Sequence, residues 1–186
     1  AYTDAQHSPD LTAYANALGQ AMRQGCARRG LSLPRLAIEP GRSIVARAGV
    51  ALYSIVSRKF LSQMPGAEGA AAYLHLDGGM ADNLRPALYG ARYTALLANR
   101  ALDLATQHVH LSGRYCESGD VLVRDLLLPE AGPNDVIALA VAGAYTLSMA
   151  SNYNLTPRPA VLLLEQGQAQ LIQRRETYAD LVSRDV

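Results

Sequence analysis

From Ala48 onward the chain is broken into short apolar runs at β spacing, and this texture limits its fold more than any other feature. Val50 to Phe60, Ala72 to Leu76, Ala105 to Leu111, Val121 to Leu128 and Val136 to Val141 read as strands. Ala160 to Leu164 and Gln168 to Gln173 read as a hairpin about Gln166-Gly167. Ala142 to Asn152 is rich in small residues and predicts a helix stopped by Asn154 and Pro157, and Thr177 to Val182 predicts a last helical turn.

Upstream the pattern differs. Leu11, Tyr14, Ala15, Leu18 and Met22 fall on one face at helical spacing, with Ser8 as N-cap, Pro9 at the first helical position, and Gly25 and Gly30 at the end. Arg35 to Ile38 predicts a short strand, and Ser43 to Ala48 a helical stretch. Helix, loop and strand make one αβ step of a larger alternating fold. A parallel sheet needs neighbours, and this step has none upstream. The expected fold class is therefore α+β and β-rich.

Composition narrows the function classes. The net charge is +1 and the cations are scattered, which leaves no nucleic-acid footprint. No apolar run is long enough to span a bilayer, and two cysteines, Cys26 and Cys116, do not make a disulfide framework. A cytoplasmic protein is expected, with Cys26 buried in or beside the first helix. His108 and His110 can share a strand face, but no third ligand stands near them, so no metal is expected.

Four strings carry chemistry. Tyr115-Cys116-Glu117-Ser118-Gly119-Asp120 sets a thiol beside a carboxylate ahead of a Ser-Gly-Asp turn, on a loop between strands where reactive groups are commonly displayed. Glu39-Pro40-Gly41-Arg42 follows a predicted strand and precedes a helical stretch. Backbone N–H groups there suit a phosphate, Gly41 permits close approach, and Arg42 can grip a carboxylate bidentately. Alone, the string reads first as a plain turn. Asp77-Gly78-Gly79-Met80 leads to Arg85-Pro86-Ala87-Leu88-Tyr89, where Arg85 and Tyr89 can meet on one helical face. Ala142-Gly143-Ala144-Tyr145 opens the segment Ser148 to Asn154, and the Tyr145 hydroxyl there can reach a phosphate or simply pack.

In this order the four strings closely resemble the diaminopimelate decarboxylase family, pyridoxal-phosphate enzymes of the alanine racemase-like class. The resemblance runs from end to end and includes Arg174-Arg175-Glu176-Thr177-Tyr178. It implies a (β/α)8 barrel followed by a C-terminal β-barrel or sandwich domain, and a homodimer with shared active sites. Residues 1–47 would be the remnant of the barrel and 48–186 the β domain. The implied reaction converts meso-2,6-diaminopimelate to L-lysine and CO2, the last step of lysine biosynthesis. Glu39, Gly41, Arg42 and Tyr145 would border the cofactor; Arg42, Arg85, Tyr89, Glu117 and Tyr145 would hold the substrate. Cys116 would be the proton donor, crossing with Glu117 into the partner's site. The residue types suit the chemistry: the pyridoxal ring is an electron sink, and an ordinary thiol, with a pKa of about 8.5, carries a proton at neutral pH.

The pattern departs from the family at one point. The cofactor needs a lysine, and Lys59 is the only lysine, at the end of a strand-like run with no family motif around it. In the family that lysine lies far upstream. The chain is thus expected to be the C-terminal part of such an enzyme, inactive alone, with Lys59 an exposed surface residue. Two other readings stand beside it. One is a related decarboxylase of ornithine, arginine or a carrier-bound glutamyl group; the other is a non-catalytic truncated homologue serving as a dimerisation module.

Overall fold

The computed structural model describes residues 8–61 and 70–186. Helix α1 (Leu11–Arg29) is followed by the single-turn α2 (Arg42–Val45), which runs into a 3-10 turn at Ala46–Ala48. Strands β1 (Ala51–Phe60) and β2 (Ala72–Leu76) precede α3 (Arg85–Tyr89), β3 (Ala95–Leu97), β4 (Gln107–Ser112), β5 (Val121–Leu128) and β6 (Val136–Leu139). The short α4 (Thr146–Met149), the hairpin β7 (Val161–Glu165) and β8 (Gln168–Gln173), and α5 (Tyr178–Leu181) complete the chain.

Six strands form one sheet in the order β3-β6-β1-β2-β4-β5, antiparallel except for the parallel β2–β4 pair. The two edge strands, β3 and β5, come back into contact, so the sheet is nearly closed and barrel-like. Its inner face follows the two-residue period of a strand. Ala72, Leu74 and Leu76 of β2 point inward with Val109 and Leu111 of β4, and with Ile137 and Leu139 of β6. Tyr53 and Ile55 of β1 close the core. Truncating one of these buried leucines to alanine costs about 2–5 kcal/mol, because the rigid sheet cannot collapse around the cavity.

The upstream part turned out differently. Asp10, not Ser8, caps α1: its carboxylate accepts from Ala13 N at 2.7 Å, while Gly30 ends the helix in the left-handed conformation. Gly25 lies inside α1, and Cys26 is half-buried there. Of the apolar face expected of Leu11, Tyr14, Ala15, Leu18 and Met22, only Leu18 and Met22 are half-buried, and no residue of α1 is buried. Arg35 to Ile38 is not a strand; without a neighbour its backbone has no ladder to join. The helix expected over Ala142 to Asn152 shrinks to α4 and a 3-10 turn at Tyr153–Leu155, since Tyr145 sits at φ 66 and breaks helical geometry ahead of it. β3 went unnoticed in the sequence, being only three residues long. The expected β-rich α+β class stands.

Candidate active site

The Asp77-Gly78-Gly79-Met80 turn is the structural hub. Asp77 closes the end of the β1–β2 ladder, with Ser54 N donating to its Oδ1 at 2.9 Å. The turn then runs across the ring of Tyr53, so close that a side chain on Gly78 would collide with it. The Tyr53 hydroxyl donates to Asp82, and burial pushes the pKa of both groups up. Asp120 fastens the next layer. Its Oδ1 accepts from Met80 N at 2.7 Å and its Oδ2 from Tyr115 N at 2.9 Å, with the carboxylate almost wholly buried. Burial is the main influence on its pKa, which is raised despite those two donors. Gly79 and Gly113 leave no room beside this carboxylate for a side chain of their own. One buried acid therefore splices the Cys116 loop to the glycine turn.

A second cluster gathers around Tyr145. The hydroxyl of Tyr145 occupies the place where a Cβ on Gly41 would lie. Gly143 packs equally closely on the backbone of Val45 and Gly49, where Ala142 N donates to Gly49 O at 2.8 Å and Gly143 N to Ala46 O at 3.0 Å. The Arg85 guanidinium lies 5.2 Å from the Tyr145 ring and 5.3 Å from the Tyr89 ring, within cation–π range of both. Gly41, Tyr145, Arg85 and Tyr89, drawn from three separate strings, thus form one surface. Tyr145 and Tyr89 are exposed there and Arg85 is half-buried.

The Cys116 loop borders this surface through Gly119, which approaches Ala87 of α3. Asp120 N donates to Glu117 O at 3.0 Å, forming the expected turn. Cys116 and Glu117 are exposed, and the Tyr153 hydroxyl donates to Oε1 of Glu117. The Tyr115 ring meets the Tyr153 ring edge-on at 5.6 Å. Ser151 N donates to Ala81 O at 2.8 Å, tying the segment after α4 back to the glycine turn.

Glu39 and Arg42 are exposed on the turn that carries Gly41. Lys59 is exposed on β1, as expected. His108 and His110 do share a face of β4, but Asp125 takes both: His108 Nδ1 bonds its Oδ1 at 2.8 Å and its backbone N donates to His110 Nδ1 at 3.0 Å. No metal-binding group exists among the described residues. Sequence reasoning missed Asp120 and Tyr153 as partners of the Cys116 loop. Only their places within or beside the quoted strings pointed to them.

The profile described as "Pyridoxal-dependent decarboxylase, C-terminal sheet domain" matches residues 13–143, which is most of the chain. The chain belongs to this family. It is 43% identical over 185 residues to the diaminopimelate decarboxylase of Bacillus subtilis, covering 100% of this chain and 41% of that protein. It is 47% identical over 173 residues to the diaminopimelate decarboxylase of Halalkalibacterium halodurans, covering 93% and 38% respectively. Among solved structures, the M. jannaschii diaminopimelate decarboxylase in complex with L-lysine superposes with a TM-score of 0.84 at 34% identity, covering 100% of this chain and 40% of that one. The chain thus spans about two-fifths of the length of these pyridoxal-dependent decarboxylases. Among the described residues, no helix is long and apolar enough to cross a membrane.

Proposed function

We propose that the chain forms the β-domain wall of the active site of a diaminopimelate decarboxylase, which converts meso-2,6-diaminopimelate to L-lysine and CO2. The observation that carries this reading is the meeting of Gly41, Arg85, Tyr89 and Tyr145 on one surface beside the Cys116 loop. Similarity along the whole chain to proteins of that name supports it.

The residues present fit pyridoxal 5'-phosphate. Gly41, lacking a side chain, lets the Tyr145 hydroxyl approach its backbone, and the buried Thr146 Oγ1 has no hydrogen-bond partner among the described residues. α2 is too short for a strong helix dipole, so Gly41 backbone, the Arg42 charge and the Tyr145 hydroxyl would supply the phosphate grip, with Glu39 beside them. Bound there, the cofactor supplies an electron sink for the α-carbon as CO2 leaves. Arg42, Arg85 and Tyr89 hold the distal carboxylate of the substrate, and Glu117 meets the distal ammonium. Cys116 holds at Sγ the proton that the α-carbon takes up. Cys116 and Glu117 serve the neighbouring site of a homodimer, in the cytoplasm. The Schiff-base amine comes from sequence outside this chain, since Lys59 stands exposed on β1, paired with Tyr73 of β2. The proposed division into barrel remnant (1–47) and β domain (48–186) is supported by the contrast between α1, of which no residue is buried, and the well-filled sheet.

A chimera tests the reading: these residues replace the matching segment of the B. subtilis relative, which keeps its own lysine-bearing part. CO2 release from meso-diaminopimelate that exceeds release from ornithine or arginine supports it. Preference for ornithine or arginine, or no turnover in a folded chimera, refutes it.

A further inference from the structure

The Arg174-to-Tyr178 string meets the contorted turn after α4 through Glu176. Glu176 of that string is a four-donor hub. Asn152 Nδ2 donates to its Oε2 at 2.6 Å and Arg158 N at 2.8 Å, while Arg158 Nε donates to its Oε1 at 2.8 Å and Arg158 Nη2 donates to the same oxygen. Arg158 holds its pKa down to about 2. The hub clamps the turn beginning at Asn152, and Asn152 Nδ2 also closes that turn by donating to Thr156 O at 3.1 Å. Inside it, Asn154 and Leu155 both sit at φ 53, a left-handed conformation costly for leucine. All this fixes one side chain, Tyr153, whose hydroxyl reaches Glu117. The Tyr115 ring packs edge-on against Tyr153.

We propose that Tyr153 is a positioning residue: its hydroxyl holds Oε1 of Glu117 and leaves Oε2 turned outward for the ammonium at the far end of the substrate. This rests on the decarboxylase reading of Glu117. A glutamate with three free torsions on an exposed loop would otherwise lose rotamer entropy each time it bound a cation. Tyr153 removes that cost beforehand. The hydrogen bond to Glu117 also raises the Tyr153 pKa.

Two measurements test it. In the 186-residue chain labelled with 13Cζ-tyrosine, the Tyr153 resonance is expected to titrate above the other exposed tyrosines, and Glu117→Gln to bring it down. A Tyr153 titration that ignores Glu117→Gln overturns the contact. In the active chimera, Tyr153→Phe is expected to raise KM for meso-diaminopimelate about five- to tenfold with kcat within about twofold, the scale of one net intramolecular hydrogen bond. With 2-aminopimelate, which lacks the distal amine, KM should not move. Glu176→Gln should raise KM in the same direction but less. An equal KM rise on both substrates, or a kcat loss with KM unchanged, overturns the assignment. A chimera inactive even with Tyr153 intact refutes the decarboxylase reading and with it the substrate role of Tyr153, while the titration still decides the Tyr153–Glu117 contact.

Discussion

Two glycines offer the same chemical change with different expected outcomes. In Gly143→Ala the new Cβ would lie under 3.0 Å from the Val45 carbonyl oxygen and 2.8 Å from Gly49 N, both backbone atoms. Backbone cannot swing aside, so the strand end and the α2 segment must part, at an overpacking cost of about 1–3 kcal/mol. Their two hydrogen bonds, Ala142 N to Gly49 O and Gly143 N to Ala46 O, go with it at about 1 kcal/mol each. The total is about 3–5 kcal/mol, or a fall in Tm of about 6–20 °C for a chain of this size. In Gly41→Ala the only atom inside 3.0 Å is the Tyr145 hydroxyl, at the tip of an exposed side chain, and the next, Tyr145 Cζ, stands at 3.5 Å. Turning that ring off its rotamer costs about 0.5–1.5 kcal/mol, or about 1–6 °C. The cofactor grip should nevertheless suffer, because the hydroxyl has moved. Urea and thermal unfolding of both variants measure the stabilities. Adding Tyr145→Phe should remove most of the Gly41→Ala cost and none of the Gly143→Ala cost. Equal losses for the two alanines, or no relief from Tyr145→Phe, would refute the packing argument.

Further predictions concern buried and paired acids. Asp120→Ala should destabilise the fold by about 2–4 kcal/mol, since it strands two buried N–H donors, and hydrogen exchange at Tyr115 and Met80 should accelerate together. Asp135, bonded by Arg100, and Glu176, bonded by Arg158, are each held to about 2, below their unfolded values. Their stabilisation is therefore complete above about pH 4.5 and lost as the pH falls towards 2, while the raised Asp82 and Asp120 act in the opposite sense. Urea midpoints between pH 7 and 2.5 should fall with acid, and Arg100→Gln should flatten the slope; a slope unchanged by Arg100→Gln would contradict the assignment. Iodoacetamide should label the exposed Cys116 before the half-buried Cys26, read by peptide mass spectrometry.

Much of this was legible before the structure, and for identifiable reasons. β2 and β5 stand as read because their ends are marked by turn residues and their interiors alternate or run apolar. The Arg85–Tyr89 turn was readable from a four-residue spacing, and its left-handed Gly90 ends it. The misreadings share a cause. Leu11, Tyr14 and Ile38 carry apolar patterns that speak to a packing partner, and pattern alone does not reveal whether the partner is present. Tyr145 illustrates another limit: helix propensity across Ala142 to Met149 is overridden by the close passage of Gly143 against Val45, a contact between residues almost a hundred positions apart. Asp120 and Glu176 escaped notice as hubs because their partners are mostly backbone N–H groups or distant side chains, which leave no mark on spacing.

Lysine production from meso-diaminopimelate by the purified 186-residue chain with pyridoxal phosphate, beside its Lys59→Ala variant, tests the division of labour most directly. Neither protein should turn over, and Lys59→Ala introduced into an active chimera should leave its rate unchanged. Turnover by the chain alone that disappears in Lys59→Ala would place the cofactor amine on β1 and contradict the account.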